Sequence, residues 1–180
     1  IHRLTQLPYS FTAHGSDLHR FKDMLQEKVR RAKFIVAISN SNKEILVDHC
    51  GRSYADKIHV IHTGVDVEKF HPPAIRQTSE RTRVICVGTL HEVKGQAYLL
   101  RATGILRDKQ VPTEVHFVGD GRDYAMLKAL TSELGLDSQV VFHGQKTRDQ
   151  IIELLQSSDL LVAPSVQSSD GRKEGIPVVI

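Results

Sequence analysis

The residues best equipped for chemistry sit at strand–loop junctions along this 180-residue chain. Near its end a polar loop, Gln167 to Lys173, leads into Glu174-Gly175-Ile176-Pro177. A carboxylate at a helix entrance, followed by glycine and proline, suits a charged ligand. The glycine lets backbone amides approach an anion, and the proline presets the first helical turn. Lys94 closes the loop Gly88-Thr89-Leu90-His91-Glu92-Val93 at the start of a helix. An ammonium and a helix N-terminus both attract phosphate. The plainer reading is a solvated loop lysine. Gly119-Asp120-Gly121 is a strand-end Gly-x-Gly, but Tyr124 stands where a dinucleotide fingerprint requires glycine. Its plainer reading is a tight turn whose Asp caps the next helix. His14, beside Gly15 and Asp17, could give a ligand a hydrogen bond or a charge; a structural role is the simpler reading.

These residues need a scaffold, and the apolar pattern supplies one. From residue 83 onward strands and helices alternate. The strands are 83–88, 113–119, 139–143 and 159–163, and the helices 95–109, 122–134 and one from Ile151 opened by the capping box Thr147–Gln150. Gly135 supplies a helix stop. Short connections argue for a right-handed parallel sheet with helices on its faces. Ligands in such sheets bind at the carboxyl ends of the strands, where the glycine-rich and charged loops fall. Earlier, 10–14, 34–38 and 57–62 read as strands. Residues 18–33 read as one basic helix, and Ser41–Glu44 as a capping box opening a helix that Gly51 ends. Residues 67–82 are polar, contain Pro72 and Pro73, and read as an inter-domain linker. The domains expected are 1–66, the linker 67–82, and 83–180.

Bulk properties exclude several classes. The chain is 40% hydrophobic and 25% charged, which suits a soluble globular protein. A net charge of +3 with 6% aromatics does not indicate a nucleic-acid partner. No apolar run reaches the roughly 20 residues needed to span a bilayer. Cys50 and Cys86 make no disulfide framework; Cys86 reads as a reduced core thiol, which fits a cytoplasmic setting. The ten histidines show no metal-ligand spacing. The basic run Lys28–Lys33 reads as a solvated helix face, with an anionic membrane surface as the alternative partner. The start at Ile1 and the end in an apolar run read as a fragment of a longer chain.

Together, Phe11–Asp17, Ile61–Asp66 with Phe70 and Pro72, Val87–Gly95, Gly119–Gly121, Val141–Gly144 and Ala163–Ser165 leading to Glu174–Pro177 resemble the retaining glycosyltransferases of family four. The likeness is to bacterial exopolysaccharide and lipopolysaccharide enzymes of the colanic-acid type. It implies an α/β GT-B fold, with two Rossmann-like domains of which the first binds acceptor and the second the nucleotide-sugar donor. The chain would cover the end of the first and most of the second. On the family pattern Lys94 meets the donor diphosphate. Glu174 opens a Glu-x7-Glu pair and faces the transferred sugar, its second member falling past Ile180. Backbone amides of Gly175, Ile176 and Val178 face the phosphates or sugar, and His14 approaches the sugar and leaving group. Catalytic candidates are therefore His14, Lys94 and Glu174. Donor-binding candidates are Thr89, Lys94, Gly119, Gly121, Gly144, Ser165, Glu174, Gly175, Ile176 and Val178. The family has Arg where Thr89 stands, and Thr lacks the charge and the fork. Either Arg83 or Arg172 contributes instead, or diphosphate binding is weaker.

The activity implied is metal-independent transfer of a hexosyl group from a nucleoside diphosphate sugar to a glycan or polyprenyl-linked acceptor, with retention. The sugar nucleotide is a co-substrate, and no cofactor is expected. The setting implied is cytoplasmic or peripheral on the inner face of the plasma membrane. Two alternatives remain, a catalytically impaired nucleotide-sugar-binding module and a GT-B sugar-nucleotide epimerase. A Rossmann dehydrogenase is excluded, because its glycine fingerprint after the first strand is missing.

Overall fold

The computed structural model describes residues 7–14, 18, 23–73, 79–169, 171 and 174. It divides into two compact units, one ending at Gly64 and one from Val65 to Ser169; Gly171 and Glu174 group with the first.

In the first unit, β1 (Phe11–Ala13), β2 (Ile35–Ala37) and β3 (Ile58–Val60) form a parallel sheet in the order β1-β2-β3. Helices α1 (Leu25–Arg31) and α2 (Asn40–Cys50) connect them, with a 3-10 segment Arg52–Lys57 before β3. Ala13, Leu25, Val29, Ile35, Leu46 and Ile58 close the core. Two expectations shift. The basic helix does not run unbroken over 18–33, because Met24 is left-handed (φ 59°) and α1 begins only after it; residues 19–22 lie outside the described set. Glu27 also binds both Arg30 and Arg31, which removes part of the positive character of that face. The cap of α2 is Ser39, not Ser41. Ser39 is extended and its Oγ accepts the Asn42 N–H at 3.1 Å, while the Asn42 amide donates to His14 O at 2.7 Å. That tertiary bond fixes the register two residues earlier than the local pattern. Gly51, at φ 113°, ends α2 as expected.

In the second unit, β4 (Thr82–Val87), β5 (Thr113–Val118), β6 (Val140–Phe142) and β7 (Leu160–Leu161) are all parallel. They are connected by α3 (Gln96–Asp108), α4 (Tyr124–Glu133) and α5 (Arg148–Gln156). The sheet order is β6-β5-β4-β7. The chain steps outward from β4 to β6, then returns to the other side of β4. The strand order therefore reverses between β4 and β7, the switch point at whose carboxyl ends open α/β sheets bind ligands. Val84, Cys86, Leu100, Val115, Phe117 and Leu127 fill the core, so Cys86 is the buried thiol the sequence implied. The Thr147–Gln150 capping box is present in full, and Gly135 is left-handed at the end of α4. Residues 66–73 are docked on this unit. The Arg148 guanidinium lies 5.2 Å from the Phe70 ring centre, and Gln156 Nε2 donates to His71 O at 3.1 Å. No helix among the described residues is long and apolar enough to cross a membrane.

Candidate functional site

The carboxyl edge of the second sheet is built from main chain at very close approach. Gly88 directly follows β4, and its N–H donates to Val118 O at 2.9 Å. A Cβ on Gly119 would stand 2.1 Å from Gly88 O, and one on Gly121 2.3 Å from Leu90 O. Only glycine allows the β4 and β5 loops to touch in this way. The loops are then tied by Leu90 N–H to Asp120 O at 3.0 Å and Asp123 N–H to Leu90 O at 3.2 Å. Gly119 N–H donates to Gly144 O at 2.9 Å, which adds the β6 loop to the same edge.

Lys94 belongs to this edge. A 3-10 turn, Glu92–Lys94, begins after the extended His91, and Gly95 follows at φ 68° before α3 starts. The Lys94 chain folds back over Gly88, with Cδ and Cε each 3.5 Å from where a Cβ would stand. Gln96, buried in the first turn of α3, donates to Thr89 O at 3.0 Å and so holds the loop against its own helix. On the other side, a Cβ on Gly95 would stand 1.9 Å from Pro164 O, and Val166 N–H donates to Val93 O at 2.9 Å. Ser165 lies between those ties, so the strap leaving β7 passes Lys94. An ammonium and an N-terminal helix turn converging on a glycine-lined edge can bind phosphate. Where negative charge develops on a leaving phosphate, the same groups stabilise it.

A second polar group spans one face of this sheet. Arg83 Nε lies 3.7 Å from Glu114 Oε2, and Glu114 Oε1 3.0 Å from His116 Nε2. Neither contact is aligned as a hydrogen bond, so both nitrogens are buried without one. His116 Nδ1 and His143 Nε2 are 2.8 Å apart in stacked rings, so one of the two donates. Burial, then the charges of His116, Lys146 and Arg83, push His143 below its ordinary value, while Glu114 pulls it up.

The chain is similar to known proteins in sequence and in fold. A family model described as "Glycosyl transferases group 1" matches residues 67–180. The chain belongs to the group 1 glycosyl transferases. A second model, "Glycosyltransferase Family 4", matches residues 1–69 of this group 1 chain. The amylovoran biosynthesis glycosyltransferase AmsK of Erwinia amylovora is 31% identical over 126 residues, which is 70% of the chain and 31% of AmsK. The putative colanic acid biosynthesis glycosyltransferase WcaL of Escherichia coli K12 is 30% identical over 125 residues, 69% of the chain and 31% of WcaL. The chain thus spans less than a third of the length of these relatives. The Anabaena HepE structure in complex with UDP and glucose superposes with a TM-score of 0.71 at 21% identity, over 91% of this chain and 48% of HepE. The fold class expected from the sequence, an α/β GT-B arrangement, is borne out.

Within this group 1 glycosyl transferase chain, Thr89, Lys94, Gly119, Gly121, Gly144 and Ser165 share one edge of the second unit. His14 lies in the first unit, just past the carboxyl end of β1, exposed, with its carbonyl held by Asn42. Glu174 is half-buried and groups with the first unit. Gly175, Ile176 and Val178 lie outside the described residues, as does Arg172. Arg83 lies far from the Thr89 loop. It sits five residues before Gly88, about 16 Å along the strand, and donates to Ser157 O at 3.3 Å. Sequence reading missed Glu92, Val93 and Pro164, whose contacts join segments some 70 residues apart in the chain. The left-handed glycine before α3, facing a proline carbonyl, leaves no local signature.

Proposed function

We propose that the second unit binds the diphosphate of a nucleoside diphosphate sugar. The complete protein then transfers the hexosyl group to a glycan or polyprenyl-linked acceptor hydroxyl, with retention and without a metal. The observation that carries this reading is Lys94 folded over Gly88 at the strand reversal, among loops whose glycines bring backbone to the surface. Membership of the group 1 glycosyl transferases supports it, as do relatives named for amylovoran and colanic acid biosynthesis and the HepE complex with UDP and glucose.

In this reading the barrier is charge separation between an oxocarbenium-like sugar and a departing diphosphate. Lys94 and the amides opening α3 meet the developing negative charge. Thr89 supplies a hydroxyl where the family has a guanidinium, so Lys94 carries more of the electrostatic load. Glu174 faces the transferred sugar, and His14 approaches the sugar and leaving group. The Gly175, Ile176 and Val178 amides complete the anion contacts. The work is placed in the cytoplasm, with acceptors reached at the inner membrane face.

The test uses the full-length protein. UDP-, GDP- and ADP-sugars are screened by thermal shift and calorimetry, and turnover is then followed by NMR of the anomeric proton. One sugar nucleotide should bind, Lys94→Ala should abolish most of that binding, and the product should keep the donor's anomeric configuration. Binding without turnover would instead establish the impaired module, and a new sugar nucleotide formed without acceptor would establish an epimerase.

A further inference from the structure

The strap that leaves β7 has no regular secondary structure from Val162 to Ser168, yet it carries Ser165 past Lys94. One carboxylate ties its far end to the lysine turn. Glu92 Oε1 accepts the Ser169 N–H at 2.9 Å, and Glu92 Oε2 accepts the Ser169 hydroxyl at 2.8 Å. Both carboxylate oxygens therefore grip one residue, on its main chain and its side chain. Hydrogen bonds to an ionised acceptor are shorter and about twice as strong as neutral ones. Glu92 opens the same 3-10 turn that ends in Lys94. Further back, Val166 N–H meets Val93 O and Pro164 O packs on Gly95. The strap therefore runs antiparallel to the lysine turn, residue 164 beside 95, 166 beside 93 and 169 beside 92. Only the last of these ties is made by a side chain, and so only it is open to removal without touching the main chain.

We propose that Glu92 is a positioning residue for the donor site: by clasping Ser169 to the lysine turn it holds Ser165 beside Lys94, ready to meet the same diphosphate. The inference rests on the nucleotide-sugar reading above and extends it to a residue that itself contacts no ligand. A loose strap leaves Lys94 in place but removes Ser165 from the shared anion, so affinity falls while the fold persists. Small misplacements of positioned groups are costly, because binding and catalysis depend on orientation.

The experiment measures the Kd of the full-length protein for UDP, GDP and ADP by calorimetry, taking the tightest-bound nucleotide forward, with thermal unfolding in parallel. Glu92→Ala should raise Kd about tenfold. Glu92→Gln should stay within about threefold of wild type, since its amide can still accept from the Ser169 N–H and donate to its Oγ. Ser169→Ala, which keeps the backbone bond, should fall between them. A purely structural role would not depend on Ser165. In a Ser165→Ala background the Glu92→Ala penalty should therefore shrink to about twofold or less, because the two changes remove one function. An unchanged Kd in Glu92→Ala, or a full penalty in the Ser165→Ala background, overturns the inference and leaves the donor reading intact. If Glu92→Ala does not fold, Ser169→Ala decides: weakened binding supports the clasp, and wild-type affinity overturns it. Wild-type protein that binds none of the nucleotides overturns the donor reading and the clasp together.

Discussion

At the carboxyl edge of the second sheet the loops are held mainly by main chain against main chain, with glycine at the closest approaches. The face that carries Arg83, Glu114, His116 and His143 is lined by charged and polar side chains instead. The difference follows from what each region must do. On the nucleotide-sugar reading proposed above, the edge presents amides to a phosphate, so it has to bring backbone to the surface, and that requires residues without Cβ. A sheet face needs only to fill space; on this one His116 and His143 partner each other, while Arg83 Nε and His116 Nε2 are buried without a hydrogen bond. The edge is therefore intolerant of added atoms, and the face is sensitive to protons.

Four changes would break or sharpen that contrast. The largest effect is expected from Gly95→Ala. The new Cβ would stand 1.9 Å from Pro164 O at a φ of 68°. Left-handed strain plus overpacking should cost about 3 kcal/mol, read as a lower urea midpoint, with loss of nucleotide binding. Wild-type stability in this variant would show that the close approach is not a constraint. Next is Lys94→Ala, which should weaken nucleotide binding by about 2 kcal/mol, the scale of a charge-assisted hydrogen bond, while the unfolding midpoint stays within a degree or two. Gly144→Ala sharpens the comparison, because that glycine is also left-handed, at φ 68°, yet nothing lies within 4 Å of its added Cβ. Its cost should be backbone strain alone, about 1 kcal/mol, well below that of Gly95→Ala in the same denaturation assay.

The smallest effect is a pH dependence arising on the polar face. His143 titrates below its ordinary value in the folded protein, chiefly because it is buried and then because His116, Lys146 and Arg83 face it. The unfolded chain therefore binds more protons near that value. The contribution to stability is complete above the ordinary histidine pKa of about 6.5 and is lost as pH falls below it. Urea unfolding at pH 7.5 and pH 5 should show a drop that His143→Asn reduces. An equal drop in both proteins would place the titration elsewhere.

Much of the second unit was legible in sequence. The runs 83–88 and 113–119 became β4 and β5 within a residue, because continuous apolar runs between short loops fit a buried parallel strand. The Thr147–Gln150 box was readable because capping is local chemistry. The cap of α2 falls two residues before the Ser41–Glu44 box that the local pattern favours; there Ser39 caps the helix and Asn42 bonds His14 O, a contact between distant segments. The break at Met24 was also invisible, since methionine has no preference for left-handed backbone.

By itself, the sequence determined an alternating α/β chain, the glycines of the carboxyl edge, and the lysine among them. Those features depend on periodicity and on the absence of side chains, both of which are written residue by residue. Tertiary structure alone decided that the strand order reverses across β4, that Pro164 rests on Gly95, that Glu92 grips Ser169, and that Arg83 lies far from the Thr89 loop. Those outcomes are relations between distant segments, and they are set by which surfaces the folded sheet brings within a few ångströms of each other.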